Sequence, residues 1–244
     1  MEQILQIKNR LCTGCGVCKN ICPVQAINME LEDGYLKPSI AMDKCIHCNK
    51  CDSRCPIVKK DELKLPQCYA AWADEQIRFA CSSGGAFAIL AKEMIKRGGV
   101  VFGAAWTEDF YVRHKYVDQI EQLPELYRSK YVQSDIGDCY LQAKEFLKAG
   151  REVLFVGTPC QIAGLESYLS GENTEKLLKV DFICYYNPPI SVLHRYLDEK
   201  YGLENLSSFA FRSKKCGWLS YVTEAEKKDG SHVIGKDMES NYRG

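Results

Sequence analysis

Two cysteine runs with identical spacing dominate the first quarter of this 244-residue chain. In each run three cysteines are separated by two residues, a fourth follows after three more residues, and a proline comes directly behind it. The members are Cys12, Cys15, Cys18, Cys22 and Pro23 in the first run, and Cys45, Cys48, Cys51, Cys55 and Pro56 in the second. A loop with this spacing curls around three corners of a cubane. The eight thiolates therefore predict iron–sulfur clusters and one-electron chemistry.

Zinc, disulfides and unliganded core cysteines each explain the two runs less well. Zinc takes four ligands, usually in two separated pairs, which leaves the third and fourth cysteine of each run without a role. Disulfides belong to oxidising compartments, yet residues 1–11 do not have the character of a signal peptide. Unliganded core cysteines have no reason to repeat a spacing. We therefore expect a cytoplasmic protein with reduced, cluster-binding thiols.

The paired runs resemble those of bacterial two-cluster ferredoxins, in which the fourth cysteine of a run ligates the other cluster. The resemblance implies two 4Fe-4S clusters with crossed ligand sets. One set is Cys12, Cys15, Cys18 and Cys55, and the other is Cys45, Cys48, Cys51 and Cys22. A unit of about 60 residues is too small for a deep core and relies on its metal for stability. We expect residues 1–60 to form an α+β ferredoxin-like domain.

The pattern of apolar and polar residues changes after a charged segment at residues 61–67, which we interpret as a linker. From residue 68 onward helical and apolar strand patterns alternate, which predicts an α/β domain with a mixed, partly parallel sheet over residues 68–244. The chain ends in polar, turn-like sequence, and we expect this domain to be truncated at its C-terminus. The formal net charge is zero and no apolar run approaches about 20 residues, so neither nucleic-acid binding nor membrane insertion is expected.

A strand–helix–strand unit places two further cysteines at one edge of the predicted sheet. Strands at 152–156 and 178–184 flank a helix at 161–169, and a right-handed crossover makes these strands parallel. Cys160 and Cys184 then lie at the carboxyl edge, where open α/β sheets bind ligands. Cys160 also precedes a helix N-terminus, which favours a thiolate. A cofactor or redox role competes here with burial of both cysteines in the core.

Two predicted helix starts offer backbone N–H groups to an anionic ligand. Ser82 to Gly85 opens a helix at 84–97, where a phosphate or a flavin edge fits, although a simple capping turn explains the same residues. Residues 128–134 precede a helix that Ser134 caps, and they bring Arg128, Lys130 and Tyr131 beside N–H donors. The alternative there is a solvated loop followed by an ordinary cap.

Four motifs, in their order along the chain, resemble the beta subunits of coenzyme F-420-reducing hydrogenases and dehydrogenases. They are Ser82-Ser83-Gly84-Gly85-Ala86, Ser129-Lys130-Tyr131-Val132-Gln133-Ser134, Gly157-Thr158-Pro159-Cys160-Gln161 and Phe182-Ile183-Cys184. The ferredoxin-like unit in front is similar to the arrangement in related fused reductases. The resemblance covers the chain from Cys12 to about Gly217.

This resemblance implies non-covalent FAD and hydride exchange with coenzyme F-420 or a similar small-molecule carrier. FAD would contact Ser82, Ser83, Gly84, Gly85, Lys130, Tyr131, Ser134 and Thr158, and Lys130 and Cys160 would be catalytic. Cys160 and Cys184 would help to hold a third 4Fe-4S cluster, whose other cysteines lie beyond the end of this chain. Residues 185–189 replace a His-Gly pair of many relatives, which leaves the substrate open. A redox partner protein or subunit is also implied.

Two functions remain to be separated at this point. The first is a flavin-dependent iron–sulfur oxidoreductase, because a flavin links hydride chemistry to single-electron clusters. The second is a non-catalytic electron-transfer subunit that uses the ferredoxin clusters and docks to a partner enzyme.

Overall fold

The computed structural model describes residues 11–58, 67–218 and 222–235. Residues 61–66 of the predicted linker lie outside these ranges. Residues 11–58, here called the N-terminal unit, contain two short helices and one antiparallel hairpin. They are α1 (Val17–Ile21), α2 (Lys50–Ser53), β1 (Ile27–Glu32) and β2 (Tyr35–Ile40), followed by a 3-10 helix at Pro56–Val58. The α+β prediction for this unit is confirmed.

A five-stranded sheet forms the centre of the remaining chain. Its strands are β3 (Val100–Trp106), β4 (Val112–Val117), β5 (Ser134–Asp135), β6 (Val153–Gly157) and β7 (Leu177–Asp181), in the order β5-β4-β3-β6-β7. β3 pairs with β6 and β6 with β7 in parallel, whereas β3 and β4 form an antiparallel hairpin. The sheet is mixed and partly parallel, as the alternating pattern predicts.

Helices α4 (Ala86–Lys96), α5 (Cys139–Lys148) and α6 (Pro159–Tyr168) cover the two faces of this sheet. Two further helices are α3 (Glu75–Ala80) and α7 (Ile190–Tyr201). On one face α4 packs Ala91 and Met94 against the strands, and on the other α5 and α6 pack Tyr140 and Leu165. Because β3 and β6 are parallel, the starts of α4 and α6 both lie at the carboxyl edge of the sheet.

A second, antiparallel sheet packs beside the first. It comprises β8 (Leu206–Ser213), β9 (Val222–Lys227) and β10 (His232–Gly235), and a turn that contains Asp229 and Gly230 connects the last two strands. Leu193 and Leu197 of α7 and Phe209 and Phe211 of β8 form its core. Within the described residues, every helix falls short of the length and apolar character that a membrane crossing needs.

Three element boundaries differ from the sequence prediction. The helix predicted from Ser134 begins at Cys139, because Ser134 belongs to β5 and its hydroxyl bonds to a buried histidine. Helix α6 begins at Pro159, so Cys160 lies inside its first turn, since proline suits the first helical position. Strand β7 ends at Asp181, and Cys184 therefore lies three residues beyond it.

Candidate functional site

Each of two cavities in the N-terminal unit is lined by four cysteines. The first, here called the inner site, is lined by Cys12, Cys15, Cys18 and Cys55 and has an empty volume of about 400 Å³, including space open to solvent. The second, the outer site, is lined by Cys22, Cys45, Cys48 and Cys51, with about 410 Å³. The structure thus brings the fourth cysteine of each run to the other run's loop.

The two cysteine loops repeat the same backbone conformation. Gly14 and Gly16 have φ of 67° and 76°, and the equivalent His47 and Asn49 have 54° and 55°. Left-handed conformations are unfavourable for residues other than glycine, and asparagine tolerates them best. The second loop therefore carries local strain at the positions that shape its cavity.

The four thiols of each site surround a space instead of converging on a point. In the part of the chain that the structure describes, no group of three or more His, Cys, Asp or Glu side chains is placed to hold a metal ion. A polynuclear cluster needs a different arrangement, because each thiolate binds a different iron. Four cysteines around a cavity suit a cluster better than a mononuclear metal.

Burial keeps the thiols of the inner site protonated in the absence of metal. It raises the pKa of Cys15 to about 12, and the neighbouring thiols Cys160, Cys55 and Cys12 add to this rise while the Val17 N–H opposes it. Burial also raises the pKa of Cys18, with Cys15 as the next contributor. Ligation requires thiolates, so loading this site with iron must release protons.

The two sites differ in their exposure to solvent. Cys15 and Cys18 of the inner site are 8% and 9% exposed, whereas Cys48 of the outer site is an exposed residue. Helix α6 closes the inner site: a Cβ added at Gly164 would lie 3.4 Å from the Cys15 Sγ and 2.7 Å from the Tyr140 hydroxyl. The inner site is therefore part of the main core, and the outer site faces solvent.

Hydrogen bonds fix the N-terminal unit to the central sheet. The Tyr140 hydroxyl lies 2.8 Å from the carbonyl oxygens of both Cys15 and Gln161. The Gln133 side chain accepts from the Leu36 N–H at 2.6 Å and donates to the Thr13 carbonyl at 3.2 Å. The two units therefore share buried polar contacts as well as an apolar core.

Two further hydrogen bonds connect Arg54, near the end of the N-terminal unit, to α6. Arg54 Nη1 donates to the Ser167 carbonyl at 3.0 Å, and the Ser167 hydroxyl donates to the Arg54 carbonyl at 2.7 Å. Neither these residues nor Tyr140 were predicted as contacts from the sequence. Gln133 and Gln161 belong to the quoted motifs, but no role was predicted for them.

Cys160 lies within electrostatic reach of both Cys184 and the inner site. Burial and then the charge of Cys160 raise the pKa of the Cys184 thiol. Burial is the main cause of the raised pKa of Cys12, and the charges of Cys55 and then of Cys160 raise it further. The Thr158 hydroxyl lies 3.1 Å from the Cys160 Sγ. The structure therefore places the two predicted extra ligands within electrostatic reach of each other and of the inner site.

The two predicted cofactor segments meet at a single hydrogen bond. The Ser129 N–H donates to the Ser82 hydroxyl at 2.8 Å, and Ser82 is buried. Gly85 has φ of 84° and precedes α4 without any side-chain cap. The first N–H groups of α4 therefore have no capping side chain.

Lys130 and Tyr131, which were predicted to bind a cofactor, contact other parts of the protein. The Lys130 ammonium donates to the carbonyls of Glu125, Tyr127 and Arg128 at 3.2, 2.8 and 3.4 Å, which occupies all three of its protons. Burial, and then the charge of Arg128, lower the pKa of Lys130 to about 7. Tyr131 packs edge-on against Phe211. A direct cofactor contact by Lys130 stays a prediction.

Ser134 belongs to a buried network around His114 that the sequence analysis did not anticipate. The Ser134 hydroxyl lies 2.7 Å from His114 Nδ1, and His114 Nε2 lies 3.0 Å from the Val156 carbonyl. Burial lowers the pKa of His114 to about 4. Because the carbonyl can only accept, the neutral ring donates from Nε2 and accepts from Ser134. The network joins β4, β5 and β6 beneath the carboxyl edge.

Comparisons with known proteins match two segments of the chain. Residues 11–58 match the family model of the 4Fe-4S dicluster domain. Residues 150–241 match that of the coenzyme F-420 hydrogenase/dehydrogenase beta subunit, C terminus. An uncharacterized polyferredoxin-like protein of Methanocaldococcus jannaschii is 39% identical over 56 residues, which are 19% of this chain and 33% of that protein.

Among solved structures, similarity at low sequence identity is found to a chain of the F-420-reducing NiFe hydrogenase complex from Methanosarcina barkeri, from a xenon derivatization study, with a TM-score of 0.48 and 14% identity. The match covers 70% of this chain and 60% of that chain. This chain thus spans a third of the curated relative's length and three fifths of the structural one.

Proposed function

Because residues 11–58 are a 4Fe-4S dicluster domain and residues 150–241 belong to the F-420 hydrogenase/dehydrogenase beta-subunit family, we propose an iron–sulfur flavoprotein oxidoreductase. It moves electrons between a hydride carrier, coenzyme F-420 or a similar molecule, and 4Fe-4S clusters via FAD. A hydride carries two electrons, and each of the two clusters accepts one electron. One hydride transfer therefore supplies the electrons that reduce both clusters.

The observation that carries this proposal is the ordered placement of the thiols. The outer site faces solvent, the inner site is enclosed by α6, and Cys160 lies in the first turn of that helix. We assign one 4Fe-4S cluster to each cavity, with the four cysteines that line it as ligands. Electrons exchanged with a partner protein then pass through the outer cluster. The inner cluster faces the carboxyl edge of the sheet, where we propose that the flavin binds.

FAD supplies hydride exchange on one side and single-electron exchange on the other. The proposed position of FAD is supported by the hydrogen bond between Ser129 and the Ser82–Gly85 loop, which lies beside the N-terminus of α4. Oriented N–H groups at a helix start bind phosphate groups. Cys160 and Cys184 are the proposed ligands of a third cluster between this region and the inner site.

The second candidate is an electron-transfer subunit without flavin. It is favoured by one observation: residues 12–57 line both cavities by themselves. In that case the remaining chain docks the clusters onto a partner enzyme and performs no hydride chemistry.

Cofactor content separates the two candidates. The full chain, reconstituted anaerobically with iron, sulfide and FAD, is freed of excess reagents and analysed for iron and flavin. The oxidoreductase retains about one FAD per chain, with about eight irons for two clusters or about twelve for three. Protein that binds no flavin, and whose clusters are reduced by dithionite but by no hydride donor, is an electron-transfer subunit.

A further inference from the structure

The Gln133 side chain reaches from the central sheet to the first cysteine loop. Its Oε1 accepts from the Leu36 N–H at 2.6 Å. Its Nε2 donates to the Thr13 carbonyl at 3.2 Å and to the Leu36 carbonyl at 3.5 Å. The amide therefore uses its oxygen and both of its protons on main-chain groups of the N-terminal unit, which fixes its orientation.

The first cysteine loop passes so close to Gln133 that only glycine fits at position 14. Gly14 has φ of 67°, which other residues adopt with strain. A Cβ added there would collide with the Gln133 amide and would lie 2.6 Å from the Leu36 carbonyl oxygen. The close contact places the amide directly against the loop between Cys12 and Cys15.

One peptide unit connects Gln133 to a sulfur of the inner site. The Thr13 carbonyl and the Gly14 N–H belong to the same planar trans peptide, so they point in opposite directions. The carbonyl accepts from Gln133, and the N–H hydrogen-bonds to the Cys12 thiol. Donation to one end of an amide polarises it and strengthens the hydrogen bond at its other end. Gln133 thus both orients and strengthens an N–H donor to Cys12.

Hydrogen bonds to ligand sulfurs are one of the factors that set the potential of an iron–sulfur cluster. Reduction adds negative charge to the cluster and its thiolates, and an N–H group directed at a sulfur stabilises that charge. Cys12 lines the inner site, so this effect acts on the inner cluster. A weaker N–H donor at Gly14 makes that cluster harder to reduce.

The backbone on both sides of Gln133 is held in place. Val132 is 3% exposed and packs in the core beneath the second sheet. The Ser134 hydroxyl bonds to His114, and the Ser134 carbonyl accepts from Gln161 Nε2 at 3.1 Å. Groups behind a metal ligand orient it only when they are themselves fixed. These contacts give the Gln133 amide the rigid support that this role needs.

The second cysteine loop has different surroundings at the equivalent peptide. Ile46 and His47 occupy the positions that correspond to Thr13 and Gly14, and both are exposed. Solvent therefore surrounds this part of the outer site, where the first loop meets the central sheet. The outer cluster serves as an internal reference for any change made at Gln133.

We propose that Gln133 is a positioning residue that raises the reduction potential of the inner cluster, by directing the N–H between Thr13 and Gly14 at Cys12. The inference rests on the proposed function only in so far as a 4Fe-4S cluster occupies the inner site. It needs no flavin, so its test is independent of FAD binding.

An anaerobic redox titration of the reconstituted full chain, followed by EPR of the reduced clusters, measures both potentials. Chelator treatment, which removes the exposed outer cluster first, assigns them. Gln133→Met keeps the length of the side chain and removes its hydrogen bonds, and Gln133→Asn shortens the amide by one methylene. Gln119→Met is the matched control, because Gln119 is exposed. Iron content and thermal unfolding show whether each variant is folded and loaded.

We expect Gln133→Met to lower the equilibrium constant for reduction of the inner cluster about tenfold, a fall of ~59 mV for one electron. Gln133→Asn should shift the inner potential in the same direction. The outer potential, and both potentials of Gln119→Met, should stay at their wild-type values.

Unchanged potentials in folded, fully loaded Gln133→Met protein, or equal shifts of both clusters, overturn the proposal. Loss of the inner iron from both Gln133 variants reduces this residue to a structural anchor and overturns it as well. All of these results leave the flavin proposal standing, and a chain without flavin that shows the expected shift supports Gln133 while the flavin proposal fails.

Discussion

The Tyr140 hydroxyl lies 2.8 Å from the carbonyl oxygen of Cys15, a residue 125 positions earlier in the chain. It also lies 2.8 Å from the Gln161 carbonyl, at the start of α6. A single fully buried side chain therefore connects the inner site, α5 and α6. Because Tyr140 is 0% exposed, water does not replace these contacts when the hydroxyl is removed.

Replacing Tyr140 by phenylalanine leaves two buried carbonyls without their shared donor. We expect Tyr140→Phe to lower the free energy of unfolding by about 1–3 kcal/mol, the range for a buried polar group that loses its partner. Anaerobic urea unfolding followed by far-UV circular dichroism measures this change. Tyr185→Phe is the control, because Tyr185 is 95% exposed. Equal stability of the two variants would show that the Tyr140 contact has no energetic role.

At position 164, in helix α6, we expect alanine to make the protein less stable than glycine does. Helix propensity alone makes Gly→Ala stabilising by about 1 kcal/mol. Here the added Cβ would lie 2.7 Å from the Tyr140 hydroxyl and 3.4 Å from the Cys15 Sγ. Overpacking of this kind costs about 1–3 kcal/mol, so we expect a net loss of stability and a lower iron content at the inner site. A stabilised Gly164→Ala protein with full iron content contradicts the tight contact between α6 and that site.

His114 makes stability depend on pH. Its pKa is lowered to about 4 in the folded chain, against about 6.5 in an unfolded one. The unfolded state therefore binds the proton first as the pH falls. The stabilising contribution is complete above about pH 6.5 and is lost progressively between 6.5 and 4.

The full loss would be about 3 kcal/mol, of which most appears by pH 4. We expect His114→Gln to flatten the difference in unfolding free energy between pH 7 and pH 5 relative to wild type. His232→Gln serves as the control, since His232 is exposed. Identical pH profiles for wild type and His114→Gln would be incompatible with a neutral buried ring.

The crossed cysteine sets predict which cluster each fourth cysteine supports. Cys55 lies in the second run but lines the inner site, and Cys22 lies in the first run but lines the outer site. We expect Cys55→Ala to lose the enclosed cluster and Cys22→Ala the exposed one, with about four irons lost from each.

Chelator sensitivity distinguishes the remaining clusters of these two variants. The cluster left in Cys55→Ala lies in the exposed outer site and should lose iron to a chelator faster than the cluster left in Cys22→Ala. The reverse order would indicate that each run ligates its own cluster. Cys68→Ala is the control, because Cys68 is exposed and lines neither cavity.

The cysteine sites were predictable because their information is local. Ligand spacing, the glycine at position 16 and the repeated pattern all lie within short loops, and the crossed sets follow from the resemblance to two-cluster ferredoxins. The alternation of apolar strands and helices likewise predicts the order and type of the central elements. Helix α7 was missed although Ile190, Leu193, Leu197 and Tyr201 recur at helical spacing and are all buried.

The contacts that join the units were not predictable, because they connect residues far apart in sequence. Neither Gln133 with Leu36 nor Tyr140 with Cys15 leaves a periodic signal. Serine favours the helix N-cap, and this local preference predicted that Ser134 caps a helix. In the structure the hydrogen bond to His114, which is distant in sequence, determines the position of Ser134. Arg128 and Lys214 likewise approach residues 78–83 only through tertiary folding, because they lie far from that segment in the sequence.

Hydride-driven reduction of the clusters tests the central claim most directly. The full chain, reconstituted anaerobically with iron and sulfide and loaded with or without FAD, is titrated with reduced coenzyme F-420 and separately with NADH, while cluster absorbance is followed. We predict that one of these donors reduces the FAD-loaded protein, with about one donor consumed by the flavin and about one more by each pair of clusters, and that the flavin-free protein stays oxidised. Clusters that remain oxidised with both donors in FAD-loaded protein, yet are reduced by dithionite, would contradict the account.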